Sequence, residues 1–123
     1  MSISQTFHEI ERTLGVRFSP LFYEFLSEFL AISTTPDFNR AFGDGHFCSE
    51  SEIRDALDDF LPQGFIPFFV VERRNSDYYC FESENPENRS RLVVFCRDAI
   101  VFQWDNYMDF LAWIRKNLAL SPE

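Results

Sequence analysis

The sequence has almost no lysine. Lys116 stands alone, and the arginines bring the bases to only 11 against 20 acids, a net charge of −9. A surface so charged repels phosphate backbones and anionic headgroups, which disfavours nucleic acid and acidic membranes as direct partners. Cysteine is scarce too. Cys48, Cys80 and Cys96 make an odd set without a C-x-x-C pair, a pattern that suits a reducing compartment better than a disulfide scaffold. No apolar run approaches the roughly 18 residues of a spanning helix, and no charged-then-apolar leader opens the chain. The expectation is a cytoplasmic protein.

Catalytic equipment is equally thin. The two histidines are His8 and His46, and neither belongs to an H-E-x-x-H pair, a calcium loop or a paired-cysteine site. Gly43-Asp44-Gly45 is no phosphate loop, because no convincing helix start follows it. An enzyme needs a nucleophile, a base and an orienting group at compatible places. Cys48 and His46 are read as pointing apart, and each cysteine as a small buried apolar group. The sequence therefore implies no enzyme, no cofactor and no metal.

What the chain has is phenylalanine, 16 of them in 123 residues that are 46% hydrophobic and 18% aromatic. That is one domain spanning residues 1–123, with a secure core and no repeat or linker. Two apolar runs, Gly64 to Glu72 and Asp77 to Glu82, flank a short polar turn and read as an antiparallel hairpin. Phe65 to Val71 is apolar almost throughout, as in a central strand covered on both faces. Pro67 has no N–H and belongs at that strand's start or at a bulge.

Ahead of the hairpin, Ile3, Phe7, Ile10 and Leu14 recur at helical spacing and Gly15 offers a left-handed cap. Ser19-Pro20 starts a second helix striped by Phe22, Phe25, Leu26, Phe29 and Leu30. Ser33 to Asp44 reads as the least ordered stretch, pinned by Phe38 and Phe42. His46-Phe47-Cys48 reads as a short edge strand, and nothing in the sequence commits that edge to a second copy. Ser49-Glu50-Ser51-Glu52 is a capping box opening a third helix, which Pro62 and Gly64 end. After the hairpin, Ser83 to Arg91 reads as a loop. Leu92–Cys96 and Ala99–Trp104 form a second hairpin around Arg97-Asp98. Asp105 or Asn106 caps a closing helix with Tyr107, Phe110, Leu111, Ile114 and Leu118 on one face. The fold class is α+β: a single antiparallel sheet of four to five strands with helices packed on one face, two N-terminal and one C-terminal.

The surface carries the functional signal. Asp58 and Asp59 end the third helix just before the hairpin. Glu72, Asp77, Glu82 and Glu84 flank the hairpin, with Tyr78 or Tyr79 among them. Acids interleaved with tyrosine suit protein binding, since tyrosine supplies contact area and a hydrogen bond together. The candidate contact residues are Asp58, Asp59, Glu72, Asp77, Tyr79, Glu82 and Glu84. The plainer reading is that the acids keep a Phe-rich domain soluble and merely line the rim of the core.

Four segments resemble the SUKH superfamily in order and spacing. Ile10-Glu11-Arg12-Thr13-Leu14-Gly15 resembles its "E-x-x-LG" helix end. Ser19-Pro20-Leu21-Phe22-Tyr23-Glu24-Phe25-Leu26 resembles its second helix. Phe65-Ile66-Pro67-Phe68, followed by Asp77-Tyr78-Tyr79-Cys80-Phe81-Glu82, resembles its "PF … GD-y-y-x-f-D" hairpin. Tyr107-Met108-Asp109-Phe110-Leu111 resembles its closing helix. The chain departs from the pattern where Arg73-Arg74-Asn75-Ser76 replaces the usual glycines. The resemblance implies an immunity protein that binds and neutralises a cognate toxin without catalysis; the alternative it implies is an adaptor domain. The acidity points to a basic partner, and a nuclease toxin fits because its substrate surface must be positive.

Overall fold

The computed structural model describes residues 2–61, 64–72, 76–82, 91–97 and 99–120. Five helices and five strands follow one another as α1 (Ile3–Leu14), α2 (Pro20–Ser33), α3 (Pro36–Phe42), β1 (Gly45–Phe47), α4 (Glu50–Asp59), β2 (Phe65–Glu72), β3 (Ser76–Glu82), β4 (Leu92–Cys96), β5 (Ala99–Trp104) and α5 (Tyr107–Leu120). The strands form one sheet in the order β1-β2-β3-β4-β5, with every neighbouring pair antiparallel. The α+β class and the two hairpins stand as the sequence implied.

The helix boundaries are set by local chemistry. Ser2 and Gln5 form a capping box at α1, and Gly15 closes it in the left-handed conformation at φ 68°, where a β-carbon is disfavoured. Ser19 caps α2 with Pro20 at the first position. Ser49 and Glu52 form the capping box of α4. Asn106, the second of the two candidates, caps α5 by accepting the Asp109 N–H at 2.9 Å.

One element corrects the sequence reading. The stretch read as least ordered contains α3, capped by Thr35 through the Phe38 N–H and led by Pro36. Thr35-Pro36 repeats the Ser19-Pro20 signal, but a helix this short leaves little periodicity to detect. Phe38 and Phe42 do pin it, buried against Phe69 and Trp113.

Pro67 sits at a bulge. Pro67 pairs with Cys80 and Phe69 with Tyr79, so Phe68 is the extra residue. Both Phe68 and Phe69 thereby meet Phe29 of α2, at 5.6 Å and 4.9 Å between ring centroids. A regular strand would have sent them to opposite faces. Phe29 is fully buried and also meets Phe38, Phe47 and Phe110. Edge-to-face geometry prevails among these rings, as their quadrupoles favour.

The helices do not all lie on one face, which corrects a second expectation. Phe7 of α1, Phe25 of α2, Phe38 of α3 and Phe110 of α5 pack on the side carrying Phe68, Phe69, Tyr79 and Phe81. Ala56 and Phe60, from α4 and its C-cap, cluster instead with Tyr78, Cys80, Val93 and Phe95, and along β3 Tyr78 and Cys80 alternate with Tyr79 and Phe81. That second side explains why β2 and β4 are buried through nearly their full length. The turn at 73–75, most of the polar loop at 83–90, Pro62 and Asp98 lie outside the described residues.

Phe29→Ala removes the ring that joins α2 to the bulge. It is expected to cost about 3–5 kcal/mol, the usual range for an aromatic core truncation, measured by urea unfolding. Leu30 is the next residue along the same helix but is half-exposed. Leu30→Ala, as the control, is expected to cost under about 1 kcal/mol.

Candidate acidic face beside Tyr78

The seven sequence-assigned residues do not form one patch. Tyr79 is 7% exposed and packs on Phe69 and Phe110, so it belongs to the core and is withdrawn as a contact residue. Asp77 pairs with Val71 and Cys96, on the strand face that Tyr79 and Phe81 share. Glu82 lies at the far end of β3, 3.9 Å from Arg91. Glu84 lies outside the described residues. Asp58, Asp59 and Glu72 are exposed.

Tyr78, the other tyrosine of the pair, stands where Tyr79 was expected. Glu72 pairs with Ser76, and Tyr78 follows two residues later on the same face. The Tyr78 ring packs 5.1 Å from Phe60 at the end of α4. Burial raises its phenol pKa, and the carboxylates of Glu52, Glu72 and Asp55 add to the rise. Carboxylates of α4 and β2 thus act on the ionisation of one half-buried phenol. Beside it, Asp59, Phe60, Ser76, Tyr78 and Arg97 line a depression of about 300 Å³. Arg97 takes φ 59°, the left-handed backbone that short hairpin turns demand.

Alternation assigns Tyr78 rather than Tyr79 only once the register is known. The pairing of Glu72 with Ser76 sets that register, and it is not legible from residue types alone. Glu52, Asp55 and Phe60 were missed as site residues because their placement depends on which sheet face α4 covers.

His46 and Cys48 do not point apart as expected. Both lie beside Glu52 of α4, since residues two apart along an extended chain share a side. His46 Nε2 lies 2.8 Å from Glu52 Oε2. Burial, with a smaller contribution from Glu52, pushes the Cys48 thiol far above its usual range. Cys80 is raised likewise by burial. A thiol held protonated is a poor nucleophile. Among the described residues, no three of His, Cys, Asp and Glu converge to hold a metal ion. No described helix is long and apolar enough to cross a membrane.

A second depression, about 650 Å³, lies between α1 and α2 beside His8, Glu11 and Tyr23. It is larger, yet its central carboxylate is already occupied. Glu11 accepts the Phe18 N–H at 2.7 Å and the Tyr23 hydroxyl at 2.5 Å, and lies 2.9 Å from His8 Nδ1. These bonds tie the end of α1 to the start of α2, so this group is structural. Burial raises the Glu11 pKa, but the bonds from Tyr23, Phe18 and His8 outweigh it and hold the carboxyl below its ordinary 4.5. A lowered folded value stabilises above the unfolded pKa and is lost as pH falls through the folded one. Glu11→Gln is therefore expected to unfold more easily at neutral pH and to show a shallower loss of stability below about pH 4.5. Urea midpoints across that range would check it.

The model of the SMI1 / KNR4 family (SUKH-1) covers residues 4–113 of this chain. No curated protein and no solved structure matches it.

Proposed function

Since the chain belongs to the SMI1 / KNR4 family (SUKH-1), we propose that it is an immunity protein. It binds a cognate toxin, a basic one, and neutralises it by occupying its surface rather than by chemistry. The observation that carries this is Tyr78, a half-buried phenol packed 5.1 Å from Phe60, whose ionisation the charges of Glu52, Glu72 and Asp55 oppose. An aromatic anchor in a mainly acidic surrounding, with Arg97 the one base among the described residues lining its depression, suits a binding hot spot for a positive partner.

The end of α4 supports the same reading. Asp58 and Asp59 occupy the helix's last turn, which has no basic residue. Negative charge there opposes the helix dipole and costs roughly 0.3–1 kcal/mol per residue. Acids that folding disfavours, set next to a half-exposed aromatic, fit selection for contact. A nuclease is the toxin class whose active surface must be positive, and an acidic face occludes it by standing where phosphate would lie.

The test is a titration against the toxin domain encoded beside this gene, at several salt concentrations, with toxin activity read in parallel. Affinity is expected to fall as salt rises. Tyr78→Ala is expected to weaken binding by about 2 kcal/mol or more, roughly thirtyfold, while circular dichroism stays native. Asp59→Asn with Glu72→Gln is expected to slow association chiefly. Tight binding indifferent to salt would remove the electrostatic part of the reading. No binding at all would turn it toward an adaptor domain.

A further inference from the structure

The outermost strand on the β4 side, β5, runs Ala-Ile-Val-Phe-Gln-Trp and is exposed at five of its six positions. Its inner edge pairs with β4, and among the described residues no strand pairs with its outer edge. Ile100, Val101 and Phe102 are 49%, 46% and 52% exposed, three large apolar residues in succession. Folded chains ordinarily blunt such an edge with charge, proline, brevity or a bulge, and of these β5 carries only the bulge, at Val101. The opposite edge, β1, is three residues long. In a chain of −9 net charge, positions 99–104 carry no charged side chain at all.

We propose that β5 is a self-association edge, on which two copies pair antiparallel about a two-fold axis and join their sheets. The facing of its residues suits a copy of itself. Phe102 pairs with Val94 and Ile100 with Phe95, leaving Val101 as an extra, bulged residue. Ala99 and Trp104 therefore share the face that Cys96 and Leu92 take, while Ile100 and Gln103 share the other through Phe95 and Val93. An isologous antiparallel pair needs partners on matching faces. The register centred between Val101 and Phe102 provides this for Ala99 with Trp104 and for Ile100 with Gln103, and sets the bulged Val101 opposite Phe102. An unbulged strand in that register would set each residue against one facing the opposite way. A basic partner, by contrast, finds no carboxylate in this strand to recognise.

Salt separates this interaction from toxin binding. Two copies of −9 each repel as wholes, so screening strengthens the pairing, whereas screening weakens attachment of a basic toxin. One can fail without the other. A single strand pair is a small interface, and a dissociation constant on the order of 10–100 µM is expected.

The experiment is sedimentation velocity of the full chain up to about 200 µM, at about 50 mM and about 500 mM salt. The expected result is a monomer–dimer equilibrium that shifts toward dimer at high salt. Val101→Lys should weaken it at least about tenfold, because a lysine on an edge blocks pairing. Amide hydrogen exchange on the unmodified chain, which does not depend on that variant folding, should show protection of residues 99–104 rising with concentration. A monomer at both salts overturns the proposal. So does a dimer that Val101→Lys leaves intact with the β5 amides unprotected. Protection of β5 seen only in the toxin complex would assign the edge to the toxin's strand and overturn it equally.

Discussion

The fold depends on one irregularity, the bulge beside Pro67. It lets two consecutive phenylalanines, Phe68 and Phe69, face the same way and grip Phe29 of α2 between them. From Phe29 the aromatic packing spreads to α3 through Phe38, to β1 through Phe47 and to α5 through Phe110. A regular β2 would present only one of those rings to the helices and would turn the other toward α4. Proline, which cannot donate to a ladder, is thus placed where the ladder already breaks.

The same packing gives the sheet two unlike sides. The side holding α1, α2, α3 and α5 is dense with rings and closed. The side holding α4 is thinner, covered by one helix, with Cys80, Val93 and Phe95 beneath it and acids along its rim. Glu11 belongs to the closed side, where its carboxylate joins two helices and holds the turn between them. That gives the glutamate of the Glu11-to-Gly15 segment a physical reason: the left-handed Gly15 ends α1, and Glu11 then receives the returning chain.

Much of this was legible in the residues themselves. The caps at Ser19, Ser49 and Gly15, both hairpins and the irregular place of Pro67 follow from side-chain chemistry that acts over a few residues. The four-segment resemblance agreed with the family match over residues 4–113. What was not legible is relational. Whether Tyr78 or Tyr79 meets solvent turns on register, and the face on which α4 lies turns on the packing of Ala56 and Phe60. The helix at Pro36–Phe42 was hidden by its brevity. Asp77 and Glu82 looked equivalent to Glu72 in the sequence, yet alternation and strand length carry them elsewhere.

The position of α4 has a bearing on how such a protein changes over generations. Asp55, Asp58, Asp59 and Glu72 are all exposed, and none contributes a ring or a methyl to the core. Substitutions at these positions leave the aromatic framework intact. Change at this acidic surface can therefore accumulate, residue by residue, without passing through a sequence that fails to fold. The scaffold and the surface it carries are free to evolve at different speeds.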